Sequence, residues 1–207
     1  MIQDLTLENI IIVLITLVVA ITLHEAMHAY AGYILGDDTA KEEGRVSLNP
    51  IKHVDPFSTI ILPIITLIIF RVPILAAKPV PFNPERVKWG EFGAAVIAFA
   101  GPLTNLVLAT FAAGLIKILG GSFGIDLIKG LTIFLMVNVG LFVFNMIPLP
   151  PLDGSRVLYA FAPESVQRLM SSLEQFGIFI VFALVLMVPV FGEILINLNN
   201  KVIEFLI

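Results

Sequence analysis

The 207-residue chain contains no cysteine. Disulfides, thiolate metal sites, a cysteine nucleophile and cysteine-linked lipid anchors are therefore excluded, and any metal must be held by nitrogen and oxygen. Charge is scarce as well. Asp, Glu, Lys and Arg make up 14% of the residues, against about 25% in a soluble domain, and 12 basic against 16 acidic residues give a net charge of −4. Such a chain offers no basic surface to a polyanion, so no nucleic acid is expected as partner. Histidine occurs only three times, as His24, His28 and His53.

Apolar residues are abundant, at 58%, and the mean hydropathy is +1.00. A helix needs about 20 mostly apolar residues to cross a hydrocarbon layer about 30 Å thick. Clear runs of that kind extend from Leu7 to Leu35, Phe92 to Leu119, Leu127 to Ile147 and Phe176 to Leu198. The first lacks a basic leader and a small-residue cleavage site, so it reads as a retained span rather than a signal peptide. Phe57 to Ala77 is apolar but broken by Pro63, Arg71 and Pro73, and Lys78 to Lys88 carries three prolines, which suits extended segments or an edge strand near an interface. The expected fold is all-α and polytopic, with about four to five transmembrane helices and a re-entrant or interfacial extended segment between the first two clear spans. A single membrane-embedded domain is expected over residues 1–207, with its core at about 7–160 and a C-terminal helix at about 176–198.

Function must then come from polar groups that a bilayer makes costly. His24-Glu25-Ala26-Met27-His28 lies inside the first span. Its i, i+4 spacing puts both imidazoles on one helix face, able to reach one metal, and leaves Glu25 rotated beside them, free to take a proton from water. Ala20, Ala31 and Gly32 share that face and would let another helix approach. Two imidazoles and a carboxylate in hydrocarbon need compensation, which a divalent cation supplies. Two histidines leave a hydrolytic zinc site one protein ligand short.

The best candidate for the third ligand is Asp153, which follows Pro148, Pro150 and Pro151 where the third clear span breaks; irregular backbone at membrane depth must line a cavity or be buried in protein. The alternative is that Asp153 only caps the next helix. His53, beside Asp55, is a rival ligand, although its flank of Lys52 and Pro56 suits a solvated loop histidine. Asn145, one turn before the break, is a candidate for holding substrate backbone, and Asn138 reads as a helix-packing amide. In Gly101-Pro-Leu-Thr-Asn105, Asn105 is a candidate substrate contact, with a packing kink as the competing reading.

The HEAMH run in a first span, GPLTN in a middle one and Phe144-Asn-Met-Ile-Pro-Leu-Pro-Pro-Leu-Asp-Gly154 at the end of a later one resemble the site-2 protease family of intramembrane zinc metalloproteases, in its small subclass without a PDZ domain. Residues 44–56 and 77–84 are also similar to that subclass. The resemblance implies one zinc ion held by His24, His28 and Asp153, Glu25 as general base, and Asn145 as a substrate-positioning residue. It implies a transmembrane protein or peptide as substrate and the lipid bilayer as surroundings, in regulated intramembrane proteolysis. A divalent-metal transporter and a catalytically inactive scaffold that binds membrane helices are the alternatives.

Convergence of the ligands adds a topological condition. If residues 57–77 crossed the membrane, Asp153 would lie at the wrong face for His24 and His28. If they do not cross, Lys41, Arg45, Lys52, Arg71, Lys78, Arg86, Lys88, Arg156 and Arg168 share one side against Lys117, Lys129 and Lys201 on the other. The positive-inside rule then makes the basic side cytoplasmic, with the active site toward it.

Overall fold

The computed structural model describes residues 6–53, 80–119 and 124–207. Among them the structure is all helical: α1 (Leu7–Ile34), α2 (Thr39–Glu42), α3 (Glu91–Leu119), α4 (Ile125–Asn145), α5 (Asp153–Phe161), α6 (Glu164–Glu174), α7 (Gly177–Met187) and α8 (Pro189–Leu206). A 3-10 turn spans Pro50–Lys52. The expectation for residues 57–77 falls outside the described residues. Those at 80–83 run without regular structure and lead into turns at 84–90, so no edge strand forms in the described part of that segment.

Helix α1 starts where the Thr6 side chain accepts from the Asn9 amide at 3.3 Å and then runs for 28 residues without an internal proline. At about 1.5 Å per residue this exceeds the hydrocarbon thickness. It stops at Gly36, whose φ of +96° favours glycine. There the Gly36 amide donates to Tyr33 O and the Asp37 amide to Gly32 O, the paired bonds that close a helix C-terminus. Ile11, Leu14, Ile15 and Val18 are exposed, as expected of a face turned to lipid.

Among the described residues three helices, α1, α3 and α4, are long and apolar enough to cross a membrane, or up to four spans if the bent pair α6–α7 counts as one. That pair turns through 82°. The protein is accordingly an integral membrane protein. Contacts give the directions: His28 meets Ile97 while Ala20 meets Asn105, so α1 and α3 are antiparallel. Glu8 pairs with Lys129 at 3.4 Å, at the N-terminal ends of α1 and α4, so these two run parallel. The chain therefore leaves α1 and enters α3 at the same end of the bundle, which is also where α4 finishes.

The C-terminal apolar run departs from its expectation. Phe176 to Leu198 is not one helix: α7 has only 11 residues, Val188 is extended, and Pro189 restarts the chain as the first residue of α8. Proline lacks the amide that would continue α7, yet suits a helix start. Helix α8 then lays Leu195, Val202, Ile203 and Leu206 against a core of Ala109, Ala112, Ala113, Leu135, Val139 and Val143.

Candidate metal centre

The C-terminal half of α1 is unusually polar for an apolar span: Thr22, His24, Glu25 and His28 are all buried. Burial is achieved because Gly101 of α3 lies directly across. A Cβ on Gly101 would meet the His28 Nε2, and would stand 2.7 Å from the His24 Nε2, so only glycine leaves room for the two rings. One residue on, Pro102 lies inside α3. It has no amide to donate to the carbonyl four residues back, in the turn whose Ile97 carbonyl accepts from His28 Nδ1 at 2.7 Å.

Asp153 arrives from the other side. Helix α4 ends at Asn145, the backbone at 146–152 is held by short-range bonds such as Leu152 N to Leu149 O at 2.9 Å, and α5 begins at Asp153. Gly154 packs so tightly against the Met146 and Ile147 carbonyls that a side chain there would overlap them. The loop is thereby folded back on the end of α4, and the carboxylate reaches α1. Its Oδ2 lies 3.2 Å from His24 Nε2 and 3.4 Å from His28 Nε2, and the two nitrogens are 3.0 Å apart. This is the one group of metal-ligating side chains found among the described residues.

The hydrogen bonds decide what those three atoms can be. His24 Nδ1 lies 2.6 Å from the Asn105 Oδ1, and His28 Nδ1 faces a backbone carbonyl. Both acceptors require Nδ1 to carry the proton, so in the neutral rings both Nε2 atoms present lone pairs. Two lone pairs and a carboxylate oxygen thus face one another within 3.4 Å, an arrangement that repels itself unless a cation sits among them. Ligands about 2.0–2.1 Å from a tetrahedral zinc are about 3.3 Å apart, and the observed triangle of 3.0, 3.2 and 3.4 Å matches that edge. Two nitrogens and a carboxylate oxygen so spaced could hold zinc of the hydrolytic type, which takes three protein ligands and keeps a fourth position for water.

The other expected residues fall differently. Glu25 is buried in the same turn of α1 and feels the charges of both histidines and Asp153. Asn145 is half-buried, with its side-chain nitrogen donating to Leu141 O at 3.0 Å. Asn105 has no exposed surface: its oxygen takes the His24 proton, and its nitrogen donates to Asn138 Oδ1 at 3.0 Å and approaches Ala20 O at 3.5 Å. That amide has no face left for a substrate. His53 corrects the reading of a solvated loop histidine. It is 3% exposed, donates from Nε2 to the Ser47 carbonyl at 2.8 Å, and lies within electrostatic reach of Glu25, but it is not part of the cluster of His24, His28 and Asp153.

Asp37 was not singled out by sequence, although Asp-Asp-Thr after a helix-ending glycine is a turn signal. Its buried carboxylate accepts from the Thr39 amide and hydroxyl and from the Asn83 amide at 2.7 Å, tying the exit of α1 to the entry of α3. Burial alone would raise its pKa, but these donors and the Arg86 charge outweigh burial and hold it below the ordinary 3.8.

Known proteins place this geometry. Residues 113–188, which include α4, the proline break and Asp153, match the model described as Peptidase family M50. A protein of Bacillus subtilis (strain 168), YwhC, named as a candidate zinc metalloprotease, is 38% identical over 189 residues, covering 87% of this chain and 82% of its own. The chain belongs to peptidase family M50. Rip2 of Mycolicibacterium smegmatis, named in the same way, is 26% identical over 179 residues, covering 85% of this chain and 67% of its own. No solved structure matches. The M50 assignment bears out the site-2 protease resemblance and makes the chain a metallopeptidase, with a peptide or protein as substrate.

Proposed function

We propose that this M50 peptidase is a zinc enzyme that hydrolyses peptide bonds of transmembrane substrates within or near the bilayer, as in regulated intramembrane proteolysis. The observation that carries the reading is the convergence of the His24 and His28 Nε2 atoms with the Asp153 carboxylate inside the bundle. In this reading those three residues are the zinc ligands and residues 7–160 form the core of one membrane domain. Bound there, zinc supplies a Lewis acid that makes water a nucleophile at neutral pH and polarises a carbonyl.

The chain's own residues supply the rest. Glu25, beside the ligands on α1 and buried, takes the proton of the attacking water and passes it to the leaving amine. A helical substrate hides its amides in i to i−4 bonds, so it must open before cleavage. The proline-broken stretch Pro148–Leu152 has backbone that cannot be helical, and it is suited to pair with the opened strand. Asn145, one turn earlier, is positioned to hold substrate backbone. The basic residues at the end of the bundle where α1 finishes and α3 begins support an orientation with the active site toward the cytoplasm.

Metal content and cleavage of a model transmembrane peptide, measured on the same preparations, test the reading. Glu25→Gln should keep its zinc and lose about 10²–10⁴-fold in turnover. Asp153→Ala should lose both. Undiminished proteolysis by Glu25→Gln would remove the proposed base.

A further inference from the structure

Each imidazole of the cluster must keep its proton on Nδ1 if Nε2 is to face the metal, and the two achieve this by different means. For His28 one step suffices: Nδ1 donates straight to the Ile97 backbone carbonyl at 2.7 Å. A carbonyl can only accept, so the tautomer has no alternative. His24 instead faces a side-chain amide, the Oδ1 of Asn105 at 2.6 Å. An amide can turn around and present its NH₂, which would reverse the histidine. Something must stop it.

We propose that Asn138 is a positioning residue of the metal site: by fixing which way the Asn105 amide faces, it sets the tautomer and orientation of His24. The inference rests on the reading of His24 as a zinc ligand. Its starting point is another atom that can only accept, the Phe134 carbonyl one turn back in α4. Asn138 Nδ2 donates to it at 2.9 Å, so Asn138 Oδ1 is turned toward α3. Asn105 Nδ2 donates to that oxygen at 3.0 Å, and the Ala20 carbonyl at 3.5 Å also draws the same nitrogen. Asn105 Oδ1 is then turned toward α1, where His24 Nδ1 meets it. Reversing either amide would set oxygen against oxygen or N–H against N–H. Neither asparagine has exposed surface, so no solvent can relieve the mismatch. Three directional bonds thus pass orientation from the backbone of α4, across α3, to a ligand on α1. Partners of this kind behind a metal-bound histidine are worth about 10–100-fold in metal affinity.

The full chain in detergent, titrated with zinc against a competing chelator and with cobalt followed by its visible spectrum, provides the test. Asn138→Leu should weaken zinc about tenfold or more and perturb the cobalt spectrum, although it lies on no residue of the ligand set. Asn105→Leu should do at least as much. In the Asn105→Leu background, adding Asn138→Leu should change affinity little, because the path is already cut. An asparagine that only packs helices would lower stability, leave zinc affinity and the cobalt spectrum unchanged, and overturn the proposal; so would equal, additive losses in both backgrounds. If the leucine variant does not fold, Asn138→Ser, too short to reach Asn105, carries the same expectation. His24→Ala separates the two levels: zinc retained in that variant sinks the ligand reading itself, whereas zinc lost there but unaffected by Asn138→Leu sinks the relay alone.

Discussion

Helix α3 builds two unlike regions in a single run of chain. Around Gly101 and Asn105 it meets α1 through a glycine with no room for a methyl group and a fully buried amide with three hydrogen-bond partners. Two turns on, Ala109, Ala112 and Ala113 meet Leu135, Val139 and α8 through apolar contact alone. In the first region each atom is specified by direction and distance. The second needs only volume and shape, which dispersion and close packing reward without regard to orientation. Substitutions should therefore damage chemistry in one region and stability in the other.

The largest effect that would sharpen this contrast is expected at Gly101. Gly101→Ala puts a methyl group against both Nε2 atoms, so zinc affinity should fall more than 100-fold, beyond the loss of a supporting hydrogen bond. Gly114→Ala, on the same helix with open space around it, should leave zinc binding unchanged. Equal zinc affinity in the two variants would erase the distinction between the regions. Next in size is Leu135→Ala. Leu135 has no exposed surface and sits in the alanine-rich core, so its truncation should cost about 2–5 kcal/mol in an unfolding measurement. Zinc affinity of the folded fraction should stay at the wild-type value, and a parallel loss of metal would show that the regions are coupled.

The two regions also differ in how far they could be read from residue order. The grouping of His24, His28 and Asp153 could be anticipated because i, i+4 spacing on a helix is a local rule and because prolines end α4 just before Asp153. Neither rule supplies the register between helices. That Asn105 meets His24 on one side and Asn138 on the other depends on how α1, α3 and α4 slide against each other, so Asn105 read as a substrate contact and Asn138 as packing. His53 was misread for a related reason: its flank of Lys52 and Pro56 suggested a solvated loop, whereas burial is settled by which turn lies over the ring. The long spans were visible as apolar runs, but hydropathy passes smoothly through Val188 and Pro189, where the backbone stops and restarts.

Asp37 offers the smallest effect and a different axis for the comparison, since the apolar region has no group to titrate. The carboxylate joins the end of α1 to Asn83, ahead of α3, and its folded pKa lies below 3.8. A pKa lowered by folding contributes stability that is complete above the unfolded value and disappears as pH falls through the folded one. Asp37→Asn keeps an acceptor but loses the charge, and charge-assisted bonds of this kind are worth about 1.5–3 kcal/mol. Protection of the 80–90 segment against hydrogen exchange should therefore be weaker in the variant at pH 6. The gap between wild type and variant should narrow as pH is lowered below about 4, because the wild-type carboxylate then takes up its own proton. A gap that stayed constant with pH would mean that the clamp acts by shape, and that charge has no part in how α1 hands the chain to the segment leading into α3.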